Sequence, residues 1–175
     1  PSHMIKNKII DYFERVAQIG NVIKVQEKGD GVGVQFGKIA HVQDKWGNIF
    51  QYYVKTHQFG LLSQTGRSAQ PVDLIEPFAY KLLELCGMSP EVHFFYDDEK
   101  NFYIATKNEG FSLNGETEFI TYEKIIANNK YKLAISKNQD LLDSAFLLID
   151  LYCLVFNISD VLTNYGNFGF IKKNE

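Results

Sequence analysis

The 175-residue chain is 45% apolar and 22% charged, with 13 Gly and 4 Pro, which excludes collagen-like, low-complexity and disordered classes. A net charge of −3 and a pI near 5.8 supply no basic field, so nucleic acid is not an expected partner. The 14 Phe, 10 Tyr and 1 Trp can fill a sizeable core, and the length suits one domain or two small lobes.

Pro1-Ser2-His3 ahead of Met4 reads as the remnant of an expression tag, so residues 1–3 are set aside. Ile5–Ile19 has apolar residues at helical spacing, and Gly20 is its expected stop. The period then changes. Asn21–Gln26 alternates as a strand, Lys28–Gly33 is turn-rich, and Val34–Val42 reads as a second strand. The turn signal Asp44-Lys45-Trp46-Gly47-Asn48 leads into a third strand, Ile49–Thr56. Connections this short require antiparallel pairing.

His57–Gln70 is a Gly/Ser/Gln-rich loop. A helix is expected near Asp73–Cys86, regular from Glu76 onward because Pro77 is tolerated only in a first turn, with Gly87 as its stop. Glu91–Tyr96 and Asn101–Thr106 form a hairpin. Gly110–Thr117 is a loop, Glu118–Lys132 fits neither period clearly, and Asp140–Asn157 is a long helix. A short strand, Phe168–Ile171, follows the turn-rich tail.

Leu141–Ile158 approaches the length of a membrane span, but Asp143 and Asp150 fall on one face of it. Each carboxylate would cost about 2.5–3.5 kcal/mol at a bilayer centre. No membrane span is expected. Cys86 and Cys153 sit in apolar runs without metal-ligand spacing and read as two buried thiols in a reducing, cytoplasmic setting.

Three residue groups carry candidate chemistry. Lys55 sits near the end of the third strand in Tyr-Tyr-Val-Lys-Thr, where a rigid strand can position an ammonium, and Glu76 on the following helix is its first candidate partner, Glu84 its second. Gly29, Gly31 and Gly33 lie between the first two strands, where backbone N–H groups can approach an anion. Asp160, Asn164 and Asn167 lie in the tail that follows the long helix.

In this order the chain resembles the protein-kinase-like fold over roughly Asn21–Ile171, and Asn-Phe-Gly-Phe-Ile at 167–171 is similar to the loop ending of HipA-type toxin kinases. The resemblance implies an α+β fold: residues 4–110 as an N-lobe, a five-stranded antiparallel sheet with one main helix, and 111–175 as a partial helical C-lobe. It implies ATP and Mg²⁺ as cofactors and phosphoryl transfer as the activity of the intact protein. Lys55 would grip phosphates, Glu76 would orient Lys55, and Gly29, Gly31 and Gly33 would cover the nucleotide. Asp160 would be the base or orienting carboxylate, and Asn164 or Asn167 would bind the metal.

The sequence departs from the family at three places. The glycines run G-x-G-x-G rather than G-x-G-x-x-G. The position five before Asn167, where an Asp is needed, is Leu162, and no second metal carboxylate of the D-F-G kind precedes Glu175. The loop is therefore rearranged around Asp160, or its catalytic position is lost and the protein is a pseudokinase, or Asp160 and the asparagines are simply turn formers. A lobe ending here would leave apolar surface on Leu141–Ile158 uncovered, which predicts self-association or a protein partner and gives the alternative function of an interaction or regulatory module.

Overall fold

Five short strand-forming segments build an antiparallel sheet, and a second body begins at Asn114. The computed structural model describes residues 2–27, 37–57, 74–98, 101–156 and 168–173, and separates into two compact units, Pro1–Leu113 and Asn114–Glu175. The protein is a mixed α+β chain.

In the first unit the strands are β1 (Asn21–Glu27), β2 (Gly37–Gln43), β3 (Ile49–Thr56), β4 (Val92–Tyr96) and β5 (Phe102–Lys107), in spatial order β1-β2-β3-β5-β4. The expected meander and hairpin both form. The turn between β2 and β3 is held by Asp44, whose Oδ1 accepts from the backbone N–H groups of Trp46 and Asn48, each at 2.8 Å. β5 inserts beside β3 with Tyr52 opposite Lys107 and Lys55 opposite Ile104, which leaves β4 at the edge.

Register decides the two faces. Ala40, Val42, Tyr52, Val54, Phe95, Tyr103 and Ala105 share one face, covered by Ile9 and Phe13 from the N-terminal helix. The other face carries Phe102, Ile104, Val92 and Phe94, against which Tyr80 of α2 (Ile75–Leu85) packs.

The N-terminal segment corrects one expectation. Instead of a continuous helix to Ile19, α1 (Ser2–Asp11) passes into a π-helical turn, Tyr12–Val16, closed by Ala17 N–H donating to Tyr12 O at 2.8 Å. One extra residue in the turn shifts the phase of everything after it. Phe13 stays fully buried, while Val16, on the apolar stripe of a regular helix, is 67% exposed. Gly20 also has a different duty from the helix stop assigned to it. Gln18 takes the left-handed conformation that ends the helix, with φ of 53°. A Cβ on Gly20 would lie 2.0 Å from Gln43 O, a backbone atom of the neighbouring strand. Gly20→Ala is therefore expected to destabilise by about 1–3 kcal/mol, read as a lower urea midpoint at unchanged slope.

Between the π-turn and β4 lies a polar cluster. Tyr12 Oη is 3.2 Å from His93 Nδ1, His93 Nε2 is 2.6 Å from Glu91 Oε1, and Tyr52 Oη donates to the same carboxylate oxygen at 3.4 Å. The hydrogen bond from His93, then its charge and that of Lys107, hold the Glu91 carboxyl below its ordinary value of 4.5 despite partial burial. A depressed carboxylate pKa stabilises the fold above its unfolded value, and that contribution is lost as pH falls through the folded value. Glu91→Gln is accordingly expected to lower stability near pH 7, where the carboxylate's contribution is fully present, and to flatten the acid limb below pH 4.5, where variant and wild type converge. Urea midpoints across the acid range check this.

In the second unit, β6 (Thr117–Thr121) pairs antiparallel with β7 (Gly169–Lys173), Phe119 opposite Ile171. The ambiguous stretch after Glu118 resolves into the end of β6 and two short helices. Thr121 caps α3 (Tyr122–Ala127) by accepting from Lys124 N–H at 3.3 Å, and Asn128 caps α4 (Asn129–Ser136) by accepting from Lys130 N–H at 3.0 Å. The long helix forms as α5 (Gln139–Phe156). Its Phe146 meets Tyr122 and Phe168 at ring-centroid distances of 5.0 and 6.0 Å. Among the described residues no helix is long and apolar enough to cross a membrane.

The cysteines divide. Cys153 is buried in α5 as expected, but Cys86 is exposed, because it falls at the C-cap of α2 past the positions that pack on the sheet.

Candidate functional site

Strand alternation puts Lys55 and, two residues on, His57 on the face of the sheet that α2 covers. The main chain continues the ladder one step past β3, with His57 N–H donating to Phe102 O at 2.9 Å. On α2, Glu76 lies in the first turn and Tyr80 one turn later, so the helix presents both to the same side. A carboxylate in a first turn is also favoured by the partial positive charge of the helix start.

The two elements meet through these four residues. Lys55 Nζ donates to Glu76 Oε1 and to Tyr80 Oη, both at 3.0 Å, and lies 5.0 Å from the centre of the Tyr80 ring. The second oxygen of Glu76 is 2.8 Å from His57 Nε2. Burial acts to lower the Lys55 pKa, but Tyr80 and Glu76 outweigh it through charge and hydrogen bonding, and the ammonium is held above its ordinary value of 10.5. An ammonium has three donors. Among the described residues two are engaged, and the side chain keeps 29% of its surface exposed, which leaves a third N–H to reach an anion.

Lys55 and Glu76 are thus brought together across 21 residues of sequence. Glu84, the second candidate partner, is not part of the site. It accepts from Lys81 Nζ at 2.5 Å on its own helix, because a residue two turns from Glu76 no longer faces the end of β3. Gly29, Gly31, Gly33, Asp160, Asn164 and Asn167 lie outside the described residues. Tyr80 and His57 are members of the cluster that sequence reasoning missed. The available signal was spacing: Tyr80 is four residues from Glu76, and His57 is two from Lys55.

No family model, curated protein or solved structure matches this chain. What the arrangement can do follows from its chemistry. A lysine fixed on a rigid strand, with its charge maintained by a carboxylate and a phenol, presents a positioned cation to an anionic ligand. Among the described residues no group of three His, Cys, Asp or Glu side chains is arranged to hold a metal.

Proposed function

We propose that this chain carries a kinase-like nucleotide site, with phosphoryl transfer as the activity of the intact protein. The single observation that supports it most is the Lys55–Glu76 pair, which joins the end of β3 to the helix that follows at 3.0 Å. The strand and helix order β1-β2-β3-α2-β4-β5 agrees with an N-lobe of that kind, with the second unit as a partial C-lobe.

In this reading Lys55 holds nucleotide phosphates through its remaining N–H, and Glu76 and Tyr80 keep it aimed and charged. Gly29, Gly31 and Gly33 cover the phosphates. Asp160 is the base or orienting carboxylate, and Asn164 or Asn167 ligates Mg²⁺, which when bound neutralises the charge on the phosphates. A charged, partly exposed lysine suits a phosphate, and an asparagine oxygen can serve as one ligand of Mg²⁺.

A second reading rests on a separate observation. In α5, Leu147, Leu151 and Leu154 lie along one stripe and are 70%, 54% and 80% exposed. This face suits a catalytically inactive pseudokinase or interaction module, in which a protein partner or a second copy covers the helix. A titration of melting temperature against ATP–Mg²⁺ separates the two. A saturable rise supports the nucleotide site. No rise at millimolar nucleotide, together with a mass that grows with concentration in light scattering, favours the interaction module.

A further inference from the structure

His57 is the part of the Lys55 cluster that the proposed function leaves unused. It is 1% exposed and its ring meets Phe102 edge-on at 5.8 Å, so neighbours on β5 fix its orientation. Its main chain is tied to the same residue by the 2.9 Å bond to Phe102 O. Glu76, by contrast, stands in the first turn of α2 with its side chain 34% exposed, and a glutamate there has several rotamers open to it. Something must hold the carboxylate over Lys55. The residue in place to do so is His57, whose Nε2 lies 2.8 Å from Glu76 Oε2 while Oε1 faces Lys55.

The contact sets a ring nitrogen against a carboxylate oxygen and is electrostatic in character. Its sign depends on the ring. A lone pair on Nε2 would repel a carboxylate oxygen at that distance, whereas an N–H there attracts it. We infer that His57, carrying a hydrogen on Nε2, is a positioning residue that holds Glu76 against Lys55 and so sets the lysine before any ligand arrives. The Glu76 carboxylate is gripped from two sides by groups two residues apart on one strand. The consequence for nucleotide binding rests on the function proposed above; the positioning itself does not.

The test uses the full chain, labelled with ¹⁵N and ¹³C. In the wild type, His57 Nε2 is expected to resonate as a hydrogen-bearing ring nitrogen. His57→Phe, which keeps the aromatic contact with Phe102, is expected to move the titration of the Lys55 ammonium downward, because a released Glu76 no longer offsets burial. His57→Gln presents an amide N–H at the same place and is expected to restore most of that titration. The dissociation constant for ATP–Mg²⁺ should rise about tenfold in His57→Phe and much less in His57→Gln.

A bare Nε2 in the wild type, or a Lys55 titration unchanged in His57→Phe, overturns the inference. Should His57→Phe fail to fold, Glu76→Gln decides, since it must shift the His57 ring ¹⁵N resonances; unchanged resonances overturn the inference. A wild type that binds no nucleotide but shows the expected Lys55 titration changes retains the positioning role and refutes only the nucleotide site.

Discussion

Lys55→Met is expected to leave the fold intact and abolish stabilisation by ATP–Mg²⁺. A ligand at one hundred times its dissociation constant stabilises by about 2.7 kcal/mol, which for a protein of this size raises the melting temperature by about 5–10 °C. The wild type should show that rise and Lys55→Met should show almost none. Methionine keeps an unbranched stem but removes the three donors and the charge that lies 5.0 Å from the centre of the Tyr80 ring. The cost in the ligand-free protein is limited by two facts. Lys55 and Glu76 both retain partial exposure, so Glu76 can rehydrate, and the ion pair itself is screened. A differential scanning measurement with and without nucleotide reads both effects at once. A full ligand shift in Lys55→Met would place the nucleotide elsewhere on the chain.

The largest loss of stability is expected from Phe13→Ala. Phe13 is fully buried and contacts Tyr52 with ring centroids 4.6 Å apart, and it also lies edge-on to Tyr12 and His93 at 5.5 and 5.6 Å. Truncation removes the transfer energy of the ring and leaves a cavity beneath β3, a cost of about 3–5 kcal/mol. Native stabilities are about 5–15 kcal/mol, so this one change would consume a large share of the total. Because Phe13 sits on the π-helical turn, its loss also frees that turn to revert to regular helix, which would rotate Val16 back toward the sheet. A urea titration measures the cost. Val16→Ala, at a position 67% exposed, is the control and should change the midpoint little.

Lys55 and Glu76 show what sequence reasoning can reach. Lys55 was legible because a strand has period two: apolar Val54 and the flanking aromatic residues fix which face the lysine takes. Glu76 was legible because Pro77 anchors the start of α2 and so fixes which carboxylate lies in the first turn. The sequence ranks Glu76 ahead of Glu84 but does not settle the choice. Both are acidic positions on the same helix, and only the seating of α2 against β3 and β5 selects one.

The miss at the N-terminus has another cause. Apolar spacing over Ile5–Ile19 fits an uninterrupted helix, since a π-turn adds one residue without leaving a compositional mark. Gly20 is required for a reason other than helix termination. Glycine is a common helix stop, but the atom that forbids a side chain here, Gln43 O, belongs to a strand over 20 residues away.

Local periodicity and turn chemistry by themselves determined the antiparallel strands of the first unit, the meander, the hairpin, α2 and the long α5, because each depends on residues within one or two turns of one another. Only the tertiary structure decided the insertion of β5 between β3 and β4, the pairing of β6 with β7 across some fifty residues, and the meeting of Glu76 with both Lys55 and His57 and of Tyr80 with Lys55. Each of these is a contact between elements, fixed by which apolar faces must share one core, and a one-dimensional pattern carries no record of that choice.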